Sequence, residues 1–192
     1  LLAERLHDLP EVTRQALTIA ARMGDPIESD TVATILGLDE VGLIESLAPA
    51  FERGMVLRAG SAIRFAHDRL VEASLALASP ERAQAIHAQL SAVLLGRSDE
   101  GRFFEAVDHL ALVGEPHDQA EQARRSSLAL AAALRAHRAR AFGAAERYFE
   151  RYAATMDPRS FEERFDAFVD AHLAWAHSEF LAGSWTVDAT FD

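Results

Sequence analysis

Along most of this chain apolar residues return every three or four positions, and a glycine or proline cuts each run before it grows long. Such a pattern leaves a mainly α fold made of short helices. Each helix has one apolar face that it cannot bury alone, so helix must pack on helix. Val12, Ala16, Leu17, Ala20 and Met23 share one face of a helix that Pro10 opens from the first helical position and Gly24 closes. A second helix runs from about Glu28 to Leu36, with Ser29 or Asp30 as its cap, Val32, Ile35 and Leu36 turned inward, and a stop at Gly37. A third runs from Asp39 to about Arg53 and turns Val41, Ile44, Leu47, Ala48 and Phe51 inward. Pro49 is expected to kink it or end it early.

Only once does the period fall to two. Met55-Val56-Leu57-Arg58 and Ala62-Ile63-Arg64-Phe65 read as short strands around Ala59-Gly60-Ser61, a hairpin with a glycine-containing turn. Three helices followed by a two-stranded wing make the winged-helix outline, with residues 28–53 as its helix-turn-helix core.

Helical spacing then returns. Asp68 to Ala78 carries Leu70, Ala73 and Leu77 on one side, and Ser79-Pro80 caps and opens the next helix, whose stripe is Ile86, Leu90, Val93 and Leu94. Residues 96–101 form a polar break. Further helices are expected over Phe103–Val113, Asp118–Ala139, Phe142–Met156 and Ser160–Leu181, with breaks at Gly114-Glu115-Pro116 and Asp157-Pro158 and a stub over Thr186–Asp192. Helical hairpins joined at Gly or Pro are the mark of α-solenoids. Phe142, Ala145, Phe149 and Pro158 fit the second half of a tetratricopeptide unit, while the spacing to Gly183 and Trp185 is too long for a regular array. The expectation is a winged-helix-like module over residues 1–78, then an irregular tetratricopeptide-like α-solenoid over residues 79–192, incomplete at its C-terminal end.

Composition narrows the chemistry. The 192 residues include no cysteine, which excludes disulfides and thiolate metal sites. All 19 basic residues are arginine. Without lysine the chain cannot encode a Walker phosphate loop or a Schiff base. A net charge of −11 repels phosphate backbones, so no direct nucleic-acid partner is expected. The third helix begins Asp39-Glu40 and contains Glu45, which sharpens that expectation. No apolar run is long enough to span a bilayer, the first residues do not read as a signal peptide, and the missing initial Met suggests a piece of a longer cytoplasmic chain. The eight histidines show no HExxH pattern. His172 and His177 do not share a helical face, and a Gly-Glu-Pro break separates His109 from His117, so isolated histidines and no metal site are expected. No G-x-S-x-G elbow or Gly-rich phosphate loop is present, so the segment is expected not to be an enzyme.

The stretches LPEVTRQALTIAARMG, LIESLAPAFERGMV and IRFAHDRLVEASLALASPERAQAIHAQLSAVLL resemble the region that follows the nucleotide-binding core of signal-transduction ATPases, such as the large ATP-binding LuxR-type transcriptional regulators and related ATPase–kinase and ATPase–cyclase fusions. Residues 1–95 carry the resemblance best. It implies a winged helix and tetratricopeptide-like repeats that couple nucleotide state in a neighbouring ATPase domain to a protein or small-molecule inducer on the repeats. ATP or ADP would belong to the parent protein, with no cofactor held by this segment. In Phe65-Ala66-His67-Asp68 the resemblance makes His67 the nucleotide sensor and Asp68 the helix cap or orienting partner. A histidine at a helix N-terminus suits a nearby anion. The alternative readings are a stand-alone helical-repeat scaffold for protein–protein interaction and, further off, a DNA-binding winged helix.

Overall fold

A computed structural model describes residues 2–24, 26–59, 62–97, 99–156 and 165–183. The expected breaks at Asp157-Pro158, the helix start at Ser160, Trp185 and the stub over Thr186–Asp192 lie outside those residues, as do the turn residues Gly60 and Ser61. The described elements are mainly helical: α1 (Leu2–His7), α2 (Glu11–Met23), α3 (Ser29–Leu36), α4 (Glu40–Glu52), β1 (Val56–Ala59), β2 (Ala62–Phe65), α5 (Asp68–Leu75), α6 (Pro80–Leu95), α7 (Glu100–Leu110), α8 (Gln119–Arg138), α9 (Phe142–Thr155) and α10 (Phe165–Ala182). They divide into two compact units, Leu1–Val113 and Gly114–Asp192.

In the first unit Pro10 stands one position earlier than expected, as the N-cap of α2. Helix α2 is the central helix: Ala16, Leu17, Ile19 and Ala20 are all buried, while Val12 turns outward. Helix α3 is capped by Glu28, whose backbone carbonyl accepts from Val32 N at 3.2 Å, and Ser29 and Asp30 fall in its first turn. Helix α4 buries Leu43, Leu47 and Ala50, a face rotated from the expected one, and Val41 is 65% exposed. Pro49 does not end α4, which runs on through it to Glu52. It forgoes one backbone bond, to the carbonyl of the exposed Glu45, which water can replace. Helix α4 closes in a Schellman motif: Met55 N donates to Ala50 O and Gly54 N to Phe51 O, both at 2.9 Å, with Gly54 at φ 65°.

That motif feeds the chain directly into β1. Strands β1 and β2 are antiparallel, with Val56 opposite Phe65 and Ala59 opposite Ala62. Ile27, just before α3, adds a single bridge on the other edge of β2: its N–H donates to Ile63 O at 3.0 Å. The core joins Leu6, Leu17, Ile27, Val32, Leu43, Met55, Val56, Ile63 and Leu70 to Ile86 and Leu90 of α6. Those last two side chains, each worth about 1.5–3 kcal/mol when fully buried, bind α6 into the core of this unit. Helix α7 packs along α6.

In the second unit α8 and α9 form a close pair. Ala129, Ala132, Ala133 and Ala136 of α8 are buried, as are Ala145, Tyr148, Phe149 and Tyr152 of α9. Methyl-sized side chains let the two backbones approach, and the α9 rings fill what remains. Helix α10 covers α9, with Trp175 stacked on Phe149 at 6.0 Å between ring centroids. No helix among the described residues is long and apolar enough to cross a membrane.

Candidate functional site

The residues singled out in the sequence sit at the corner between β2 and α5. His67 is the N-cap of α5, in extended backbone (φ −155°, ψ 148°), and its carbonyl accepts from Leu70 N at 2.9 Å. Its side chain makes no capping bond. Asp68 is the first helical residue, so it does not fill the cap position expected of it. Both side chains are exposed. The carboxylate of Asp68 favours the positive end of the helix, and the first N–H groups of α5 are directed the same way.

A second group of charged side chains surrounds the start of α3. Arg97, just past α6, pairs with Glu28 at 3.2 Å and with Asp30 at 2.8 Å. Arg102 of α7 pairs with the same Glu28 and with Glu105 at 2.8 Å. Glu28 is thus shared by two guanidiniums, which ties α3 to the α6–α7 hairpin. Beside this web lies an open cavity of about 570 Å³, lined in part by Glu28, Ser29, Asp30, Thr34, Glu40 and Arg97.

The outward side of α4 is acidic. Asp39, Glu40, Glu45 and Glu52 are all exposed. Arg53, at its far end, is committed elsewhere: its guanidinium donates to Arg5 O at 3.0 Å and to Asp8 O at 3.4 Å. A recognition helix reading DNA needs cationic or amide side chains on that surface.

The histidines are less isolated than their spacing implies. His87 of α6 and His109 of α7 face each other with their Nδ1 atoms 3.0 Å apart. One Nδ1 must carry a proton and the other a lone pair. His109 is buried, its Nε2 has no hydrogen-bond partner, and Glu105 Oε1 stands 4.0 Å from that nitrogen. A buried lone pair costs less than a buried orphan N–H, so the favoured arrangement has His109 donating through Nδ1 and His87 holding its other proton toward solvent. Burial, the neighbouring His109 and the charge of Arg22 push the pKa of His87 down to about 4. Burial also lowers that of His109, against the pull of Glu105 and Asp108.

In the second unit His137 Nδ1 lies 2.8 Å from Ser178 Oγ. This pair has the residue types of a nucleophile and its base, but not the access. Ser178 is fully buried, and its hydroxyl proton is donated to Ala174 O at 2.8 Å. His137 must therefore donate to the serine oxygen, and the contact staples α8 to α10 rather than activating a nucleophile. Among the described residues no group of three or more His, Asp or Glu is placed to hold a metal ion. The contacts His87–His109 and His137–Ser178 join residues far apart in the chain, and the sequence held no local signal of either. Protein-family models, curated proteins and solved structures were compared with the chain, and none matches it.

Proposed function

We propose that this chain is a non-catalytic coupling and protein-interaction segment of a larger signal-transduction ATPase, a winged helix followed by tetratricopeptide-like hairpins in a transcriptional regulator. The observation that carries the reading is the Ile27–Ile63 contact. This single bridge, between α2 and α3 and paired to the hairpin that follows α4, stands where a winged helix has its first strand and so supports that reading. The Ala145 and Phe149 packing of α8 on α9 supports a tetratricopeptide-like second part.

The acidic outer side of α4 favours use of the winged helix as a packing adaptor over DNA reading. His67, exposed at the α5 N-terminus, is the residue through which a neighbouring ATPase domain would present ADP or ATP. The helical hairpins would receive a protein or small-molecule inducer in the cytoplasm. Leu173 and Phe180, seven residues apart on α10 and 65% and 62% exposed, offer apolar surface for such a partner.

The deciding experiment uses the full-length protein. His67→Ala is expected to change its retention of bound nucleotide without unfolding the chain; unchanged retention removes the sensor role. These 192 residues alone should neither turn over ATP nor shift duplex DNA at low salt. ATP turnover would refute the non-catalytic reading, and a gel shift would refute the adaptor reading.

A further inference from the structure

The α6–α7 hairpin is closed by a contact whose chemistry depends on proton count. His87 and His109 meet nitrogen to nitrogen at 3.0 Å, with ring centroids 5.2 Å apart. We propose that this pair is a proton-operated latch, which holds α7 on α6 while the two rings share no more than one extra proton and releases it when both rings are charged.

The steps follow from the neighbours. With both rings neutral, His109 donates its Nδ1–H to the Nδ1 lone pair of His87. A first added proton goes to His109 Nε2, the buried atom without a partner, where the carboxylate of Glu105 is 4.0 Å away. The Nδ1–H to Nδ1 bond survives that step. A second proton must occupy His87 Nδ1, the acceptor itself. Two N–H donors and two positive charges then face each other, and the bond is lost.

The surrounding charges set the order of these steps. Burial opposes charge on His109 and lowers its pKa, while Glu105 and Asp108 on α7 favour that charge. Arg22 on α2, held by Thr18 O at 2.9 Å and Leu75 O at 3.2 Å, opposes charge on His87. From α3, which also packs on α6, Glu28 and Asp30 are engaged by Arg97 just beyond the C-terminal end of α6. Arg102 holds the first turn of α7 to Glu28, whereas the latch sits in the last turn. Release therefore swings the C-terminal part of α7 and uncovers Ala106, Val107 and Leu110, which are buried while it is closed.

Hydrogen exchange on the whole chain tests this. Between pH 7 and about pH 4.5, after correction for intrinsic rates, opening of the α7 amides should rise on the order of tenfold or more beyond that of α2. The double variant His87→Leu/His109→Leu should lack that excess. Equal opening of α7 and α2, or acid opening retained in the double variant, overturns the latch. Should the leucine pair fail to fold, ¹⁵N titration of the imidazoles in the unmodified chain decides. Coupled steps with unequal Nδ1 protonation at pH 7 support the latch, and two independent titrations near the ordinary histidine value overturn it.

Discussion

The two compact units solve the same problem with different materials. The first wraps helices and a small sheet around branched aliphatic side chains drawn from many elements, from Leu6 in α1 to Leu90 in α6. The second closes along a seam of alanine backed by Phe149, Tyr148 and Tyr152. A core fed from many elements loses one contributor and keeps the rest. A seam between two helices depends on few side chains, so each ring carries more of it.

The largest expected effects test that contrast. Phe149→Ala should cost about 3–5 kcal/mol and Leu90→Ala about 2–5 kcal/mol, read by chemical denaturation with circular dichroism. Hydrogen exchange should place the first loss in α8–α10 and the second in the first unit. Because Trp175 stacks on Phe149, the first variant should also change tryptophan fluorescence. A loss spread evenly over both units in either variant would break the division between them.

How much of this was legible depends on the range of each contact. The helices and the two-stranded hairpin were readable because periodicity and Gly or Pro breaks are local. The face of α4 was misread: Val41 and Leu43 are two positions apart, and only the packing against α2 and α3 decides between them. The corner at His67 was readable from the switch of period, but the cap assigned to Asp68 was not, because it turns on one residue of backbone conformation. Ile27 meets Ile63 and His87 meets His109 through tertiary structure alone, and single residues have no period to betray them.

The histidine contacts sharpen the comparison. An imidazolium at His137 can still donate its Nδ1–H to Ser178, whereas doubly charged His87 and His109 cannot bond. His87 has a folded-state pKa lowered from 6.5 to about 4. A base with a depressed pKa contributes stability that is present above its unfolded value and is lost as pH falls from about 6.5 toward 4. After solvent screening of this half-buried ring, the loss in the first unit should be on the order of 1–2 kcal/mol. Denaturant midpoints at pH 7 and at about pH 4.5 check it, with His87→Leu expected to flatten the dependence. Ser178→Ala, which removes the partner in the other unit, should cost about 0.5–1.5 kcal/mol at either pH.

The smallest effect concerns one motif used twice. Helix α8 ends as α4 does: Ala141 N donates to Ala136 O and Arg140 N to His137 O, both at 2.9 Å. The first unit places Gly54 at the left-handed position, and the second places Arg140 there at φ 60°. An L side chain in that conformation costs about 1 kcal/mol, which glycine avoids at the expense of a freer unfolded chain. Arg140→Gly should therefore stabilise the second unit by about 0.5 kcal/mol, and Gly54→Ala should destabilise the first by about 1 kcal/mol. Nothing lies within 4 Å of a Cβ added at Gly54, so the cost there is conformational and not steric. Opposite signs in the two denaturation midpoints would show that the same backbone cap is relaxed in one unit and strained in the other. A loss on Arg140→Gly would mean instead that the arginine side chain holds the α8–α9 corner by contacts that outweigh its backbone strain.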